Sequence, residues 1–351
     1  MRIDMPMMKA AVLESPGHMK VKEVPVPSLK PDEALVKVMC IGICGSDVHY
    51  YEHGKIGRYE VKEPLILGHE LAGVVAEVGE AVKHLRVGDR VAVEPGVACG
   101  RCEYCKGGRY NLCPDVVFMA TPPINGAWAE YAAIRSDFLF PIPDEMSFEE
   151  GALLEPLSVG FHAMHRAGVQ PHDRVLVTGL GPIGQMAVVA ARLFGVTEVY
   201  GSDVVEYRRD LAKSMGITDV CDPMTASLQH QVSAWTEGKG VDVLIETSGN
   251  AGVITASTAH IKRGGKIVFI GLPAAASVGM NVNEIIDGEL DVLGVFRYAN
   301  TYPAAIRALR SSKVRIEDTI THKYKLDDIQ EALDVSIHHK NSSMKIMIYP
   351  N

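Results

Sequence analysis

The sequence predicts an α/β chain of two domains, a mostly β N-terminal one followed by a doubly wound parallel sheet. Three observations carry this expectation. The 351 residues are long for one hydrophobic core. From residue 9 to about 133, short β-like runs are punctuated by Gly and Pro. After Glu155 the pattern changes to apolar strands alternating with helical runs, which is how a parallel sheet covered on both faces reads.

In chain order, strand candidates in the first region are 34–39, 71–78 and 90–93. In the second region a buried strand at 174–178 leads through a glycine-rich turn into a helical run at about 185–194. A second strand ends at Asp203, and a helix follows through Lys213. Further strands are expected at 241–245, 266–270 and 291–296. From about Arg297 the pattern stops. A helix near 302–309 and a last strand at 343–349 read as a return to the first domain. The expected boundaries are 1–157, 158–296 and 297–351.

Composition narrows the function classes. With 47% hydrophobic and 22% charged residues the chain is an ordinary globular one. A net charge of -8 and the lack of a basic run exclude nucleic acid as the expected partner. No apolar stretch is long enough to span a bilayer, so no membrane partner is expected. Residues 1–8 include Asp4 and Pro6 and have no apolar segment of the signal-peptide kind, so a cytoplasmic location is expected. The cysteines number seven, four of them clustered, which fits metal ligation better than a disulfide framework.

The turn after the 174–178 strand is Gly179-Leu180-Gly181-Pro182-Ile183-Gly184. A lone GxGxxG is a weak signal, and a structural turn is the plain alternative. Here a strand precedes it, a helix follows it, and Asp203 ends the next strand 19 residues beyond Gly184. Gly179 allows the tight turn, Gly181 lets a pyrophosphate approach the backbone, and Gly184 allows close helix–sheet packing. The free N–H groups of the helix start face the phosphates. Asp203 would accept hydrogen bonds from ribose hydroxyls and repel a 2′-phosphate, so NAD is expected over NADP. Arg208 pulls the other way if it reaches a 2′-phosphate; with Asp203 present, packing near the adenosine or pairing with a carboxylate is the expected role.

Cys99, Cys102, Cys105 and Cys113 follow one another at spacings of three, three and eight. One loop can thus present four thiolates to a tetrahedral ion, with no position left open, so a structural zinc is expected. An iron–sulfur cluster fits four thiolates as well. Two further clusters, Cys44-Gly-Ser-Asp-Val-His-Tyr and Gly68-His69-Glu70, and the acid Glu155 supply residue types that make catalytic zinc sites. Spacing alone leaves the alternative open that His69 is a satisfied core histidine and Cys44 a small buried residue.

The chain resembles the zinc-containing medium-chain dehydrogenases, and within them the sorbitol dehydrogenase (L-iditol 2-dehydrogenase) group. The stretches that carry the likeness are Cys-Gly-Ser-Asp-Val-His-Tyr-Tyr from Cys44, Leu67-Gly68-His69-Glu70, and Ala120-Thr121-Pro122-Pro123. They continue with Glu-Glu-Gly-Ala-Leu-Leu-Glu-Pro-Leu-Ser-Val-Gly from Glu149, the turn from Gly179 to Gly184, and Gly294-Val295-Phe296-Arg297-Tyr298. They run through most of the chain in the family's order.

The resemblance implies a GroES-like β-rich catalytic domain, a Rossmann domain, and a C-terminal return to the first. It implies that Cys44, His69 and Glu70 hold a catalytic zinc, with Glu155 as fourth ligand or holding water. It implies a proton relay at Ser46 and His49. Substrate contacts are implied at Tyr50, Phe118, Thr121, Glu155, Arg297 and Tyr298. Cofactor contacts are implied at Ile183, Asp203, Arg208, Ile270, Gly271, Leu272, Val295, Phe296 and Arg297. A homotetramer is implied too. The four-cysteine lobe is absent from some animal members, so its retention places this chain nearer the bacterial type.

The expected reaction is zinc-dependent oxidation of a polyol secondary alcohol by NAD. Threonine or butanediol dehydrogenases share the Cys, His-Glu and GxGxxG pieces, but Tyr50 and Phe296-Arg297-Tyr298 favour a polyol. A non-catalytic NAD-binding protein on this scaffold would be expected to have lost ligands or relay residues, and this chain keeps them all. The sequence does not rank sorbitol, xylitol and iditol.

Overall fold

The computed structural model describes residues 6–351; the first five residues, part of the stretch read above for a signal peptide, lie outside the described residues. The chain forms two compact units, Met1–Glu155 with Ile320–Asn351, and Pro156–Thr319. The first boundary falls two residues from the expected one. The second does not: the chain returns to the first unit at Ile320, whereas the sequence reading placed the return at 297. The reason is packing. The helix Tyr302–Arg310 buries Tyr302, Ala305 and Leu309, and the turn Ile316–Thr319 packs on the helix Pro182–Leu193, so both belong to the second unit.

The first unit is built on a seven-stranded sheet. Its main path runs Leu139–Pro141, Arg90–Val93, Glu70–Val78, Glu33–Gly42, Lys345–Tyr349, Ile320–Lys325, with Tyr131–Arg135 also paired to Glu33–Gly42. A hairpin, Met7–Ser15 with His18–Pro25, and the short strand Leu65–Ile66 make a second sheet. Glu33–Gly42 and Glu70–Val78 read as nearly unbroken apolar runs because most of their side chains are buried. Their pairing sets Gly42 opposite Glu70, and Met347 opposite Gly42. That register brings three chain-distant segments to one spot, where the site described below lies.

The second unit holds six parallel strands. Counted along the chain from Arg174–Thr178, their spatial order is 3-2-1-4-5-6, the dinucleotide-binding order, with the sense of winding reversing between the first and fourth. Val175, Leu176 and Val177 are fully buried, as a central strand covered on both faces demands. Two elements differ from the sequence reading. The strand Ile261–Phe269 starts earlier than expected, because Gly264, in the left-handed region (φ 72°), carries the chain through an irregular register where Gly-Gly reads as a turn. The strand Asp219–Cys221 is too short to show a period. No helix among the described residues is long and apolar enough to cross a membrane.

Candidate active site and metal centres

The strand Glu33–Gly42 runs straight into Cys44, which caps the helix Gly45–His53. The cap is made by the chain's own amide: the Cys44 N–H donates to Asp47 Oδ2 at 2.9 Å. The Cys44 side chain faces the Asp47 N–H in return, which completes a capping box. Asp47, fully buried, uses its other oxygen to accept the Gly68 N–H at 3.0 Å and lies 3.7 Å from His69 Nδ1. One carboxylate thus fixes both ligand-bearing loops. Gly68 has φ 86°, and a Cβ there would lie 2.3 Å from Trp128, so the turn that aims His69 inward admits only glycine. Gly42 is constrained as tightly: a Cβ there would meet the Glu70 carboxylate at 2.2 Å.

Ligand atoms of Cys44, His69 and Glu70 lie within 4.8 Å of one another. Glu155 is buried in the helix Phe148–Ala167 but stands outside that trio. Burial works against a charge on His69, yet the Asp47 carboxylate and the Cys44 sulfur outweigh it and hold the imidazole pKa well above its usual value. A buried ring among anionic groups thus keeps a proton that it must release to ligate a metal. A divalent cation between Cys44, His69 and Glu70 supplies the missing positive charge, so these residues fit a zinc ion. The set is sulfur, nitrogen and oxygen, the mixed kind of catalytic sites.

Phe118 packs edge-on against His69, with ring centroids 5.5 Å apart, and Thr121 follows it in the turn 118–124. Ser46 and His49 stand three apart on the helix Gly45–His53, hence on one face; Ser46 is half-buried and His49 exposed, while Tyr50 is buried.

The four cysteines of the lobe converge too, their sulfurs within 4.8 Å of one another. Cys102 and Cys105 are 3.4 Å apart, and Cys99 and Cys105 3.9 Å. Tetrahedral zinc with four thiolates requires sulfurs about 3.8 Å apart. Backbone N–H groups are aimed at the sulfurs: Cys105 N at Cys102 Sγ, Cys99 N at Cys113 Sγ. Those of Arg101 and Cys102 hold the Cys99 thiol down to about 6. Burial pushes Cys105 up to about 12 and raises Cys113 as well, so a cation is needed to hold all four as thiolates. The converging sulfurs fit a zinc ion with no open position.

In the second unit, the GxGxxG turn is tight and closely packed. Gly179 has φ 84°, and a Cβ on Gly184 would lie 1.9 Å from the Gly179 carbonyl oxygen. A Cβ on Gly181 would meet nothing nearer than Arg208 at 3.8 Å, so the space above it is open. The turn borders a cleft of ≈ 350 Å³ at the carboxyl ends of the central strands. Asp203 accepts the Leu180 N–H at 2.7 Å and the Val205 N–H at 2.8 Å, and Arg208 lies 3.7 Å from it. Thr178, Thr247, Ser248 and Asn250 also line the cleft, and the sequence reading missed them. Ile270 and Gly271 are tied by their N–H groups to the Glu246 carbonyl, and Leu272 is exposed. Val295 donates its N–H to Phe269. Arg297 has φ 54°, uncommon for a side-chain-bearing residue, and stacks its guanidinium over Phe296; the buried Tyr298 ring lies 6.0 Å from Tyr302. Arg297 and Tyr298 thus stand with the cofactor-cleft unit.

Residues 30–144 match the alcohol dehydrogenase GroES-like domain family, and residues 182–311 the zinc-binding dehydrogenase family. A sorbitol dehydrogenase of Bacillus subtilis is 48% identical over 344 residues, 98% of each chain. The chain belongs to the sorbitol dehydrogenase group of the zinc-containing medium-chain dehydrogenases. Among solved structures, an Escherichia coli oxidoreductase/dehydrogenase of unknown specificity superposes with a TM-score of 0.94 at 38% identity, covering 98% of this chain and 99% of that one. A 2R,3R-butanediol dehydrogenase of Bacillus subtilis superposes at 0.90 with 31% identity, covering 98% and 100%. The medium-chain dehydrogenase assignment accounts for the two domain types.

Two residues of the zinc-site neighbourhood were missed by sequence reading. Asp47 lies inside the Cys44 motif and had a signal: an acid three residues after the cap. Lys345 had none. Its ammonium, 2% exposed, lies 2.6 and 2.8 Å from the two Glu70 oxygens, across 275 residues of chain.

Proposed function

We propose that this chain oxidises a secondary hydroxyl of a polyol such as sorbitol or xylitol to the ketone, with NAD as hydride acceptor. It would use a catalytic zinc on Cys44, His69 and Glu70 and a structural zinc on the four-cysteine lobe. The observation that carries the reading is the convergence of sulfur, imidazole and carboxylate in a chain 48% identical to a sorbitol dehydrogenase. The butanediol alternative is less favoured, its representative being 31% identical.

When bound, zinc supplies the positive charge that acidifies the hydroxyl, and NAD accepts the hydride. The protein's residues do the rest. Asp47 fixes the His69 ring. Phe118 covers one side of it and helps to keep water out. Ser46 takes up the hydroxyl proton, and His49, on the same helix face and exposed, releases it to solvent; Glu155, buried beside the trio, offers a second route through water. Arg297, with five donors and a fixed charge, holds the remaining hydroxyls of a long polyol.

A charged hydrogen bond is worth roughly 1.5 to 3 kcal/mol. Arg297→Ala is accordingly expected to lower kcat/KM for sorbitol or xylitol by about ten- to a hundred-fold, and far less for a short secondary alcohol. Glu155→Ala is expected to impair both. Equal losses in Arg297→Ala would assign that residue to the fold or the cofactor.

NAD preference rests on Asp203. Its two carboxylate oxygens anchor the Leu180 and Val205 N–H groups one each, so Asp203→Asn removes the charge and keeps one of the two acceptors, and a thermal melt is run beside the kinetics to follow the lost one. The preference for NAD over NADP, measured as a ratio of kcat/KM, is expected to fall by about ten- to a hundred-fold. An unmodified enzyme that uses both cofactors equally contradicts this assignment.

For assembly, we propose a homotetramer. The strand Asp291–Gly294 ends the parallel sheet, and Val282, Ile286 and Val292 on and near it are exposed, an apolar edge suited to pairing with a second copy. A cytoplasmic location suits a chain whose seven cysteines are all unpaired.

A further inference from the structure

Glu246 ends the fourth of the six parallel strands, in register with Thr178 on one side and Phe269 on the other. Its side chain is fully buried. Every hydrogen-bond partner of its carboxyl group is a donor. The Ser248 N–H lies 2.8 Å from one oxygen, and the Ser248 hydroxyl donates to the same atom. The Gly249 N–H is shared between the two oxygens at 3.1 and 3.2 Å. A Cβ on Gly271 would lie 2.8 Å from the second oxygen and 2.3 Å from the Gly249 nitrogen. The carboxyl group is thus wedged between the loops 247–250 and 270–272. Donors alone hold it, so it is set up as an anion, yet no cationic side chain among the described residues stands beside it. Burial raises its pKa against the pull of those donors.

Holding two loops together does not require a charge. A neutral amide oxygen would accept the same N–H groups, and a buried charge without a counter-charge is costly. The place of the charge supplies a reason. The sheet order reverses between the first and fourth strands, and a dinucleotide lies across that point, one half to each side. Asp203, just past the end of the second strand, marks the adenosine side. The other half, which carries the nicotinamide ring, falls on the side of the fourth and fifth strands, where Glu246 and the loops it joins stand. Ser248 and Asn250 line the same cleft as Gly179, Gly181 and Asp203. The ring carries a positive charge when oxidised and none when reduced, so a fixed anion on its side favours the oxidised form alone. The pyrophosphate is common to both forms, and its repulsion cancels between them.

We propose that Glu246 is the counter-charge of the oxidised nicotinamide ring, a buried anion that makes the cleft bind oxidised NAD in preference to NADH. This rests on the NAD reading above and assigns to the protein a discrimination between the two redox states of one cofactor.

The test measures two dissociation constants on the zinc-loaded full-length protein: that of NADH, from its fluorescence on binding, and that of oxidised NAD, by displacement of NADH. Glu246→Gln keeps the shape and an acceptor and removes the charge. Glu246→Asp and Glu246→Asn form a second pair, equal in length and different in charge. The ratio Kd(NADH)/Kd(NAD) is expected to fall by about fivefold or more from the unmodified protein to the Gln variant, and likewise from the Asp to the Asn variant. A residue that only braces the loops moves both constants together and leaves their ratio alone. A ratio unchanged in the Gln variant therefore overturns the assignment, whatever the loss in affinity. Should Glu246→Gln not fold, the Asp and Asn variants decide by the same criterion. If the unmodified protein binds neither form, the NAD reading fails, and the role of Glu246 fails with it.

Discussion

Replacing Cys44 by Ala is expected to abolish polyol oxidation, with kcat/KM falling by about 10⁴-fold or more, while the fold is kept. The first part follows from acidity. A hydroxyl proton does not leave readily at neutral pH without a cation to stabilise the oxyanion, and zinc ligation would lower its pKa far toward neutrality. The second follows from the cap. The helix Gly45–His53 is capped from both sides of a capping box, and removal of the thiol leaves the half in which the Cys44 N–H donates to the Asp47 carboxylate, the stronger, charge-assisted one. The measurement is steady-state kinetics beside metal analysis and a thermal melt. The expected result is one zinc fewer per chain, no turnover and a nearly unchanged Tm. Substantial activity in Cys44→Ala would remove this residue from the catalytic centre.

The other large effect is on stability. The lobe from Cys99 to Cys113 holds a four-residue helix, a single 3₁₀ turn and no apolar residue buried to the depth of the sheet cores apart from Cys113 itself. Its order would therefore depend on the proposed lobe zinc, because little else in the lobe is buried. Cys102 contributes a sulfur and also caps the helix Glu103–Lys106, accepting the Cys105 N–H. Cys102→Ser is expected to lose the lobe zinc and to lower Tm by roughly 10 °C, at about 2–4 °C per kcal/mol for units of this size. In the unmodified enzyme a chelator should take the mixed-ligand zinc first and stop turnover before the fold is affected. A Cys102→Ser protein with full zinc content and unchanged Tm contradicts a structural site.

Much of the architecture was legible because it follows from periodicity and punctuation. Arg174–Thr178 and Val241–Glu246 have apolar centres, 175–177 and 243–245, with turns on either side, and the glycine spacing from Gly179 to Gly184 needs no tertiary knowledge. The helix Phe148–Ala167 was not legible. Pro156 in its interior reads as a stop, since it has no N–H to donate and its ring crowds the preceding turn, and the helix runs through it nonetheless. The site divided along similar lines. The four-cysteine lobe is local, so its spacing spoke for itself. Cys44, His69 and Glu70 are brought together by strand register, and residue types alone left them indistinguishable from a packed histidine and a buried thiol until the family likeness was used. Gly42 and Lys345 carried no signal at all. The need for glycine at 42 exists because the Glu70 carboxylate occupies the place of its side chain, and Lys345 meets Glu70 only when the last strand joins the sheet.

The central claim, that this is a zinc-dependent, NAD-linked polyol dehydrogenase, is tested most directly by following NADH formation with a panel of polyols and short alcohols. The panel is run on enzyme as purified, after brief chelation, and after zinc is restored. The account predicts turnover of sorbitol or xylitol with NAD, its loss on chelation and its return with zinc, and much lower kcat/KM for 2,3-butanediol, threonine and simple secondary alcohols. Polyol turnover that survives removal of the mixed-ligand zinc, or a preference for butanediol or threonine over every polyol, would contradict it.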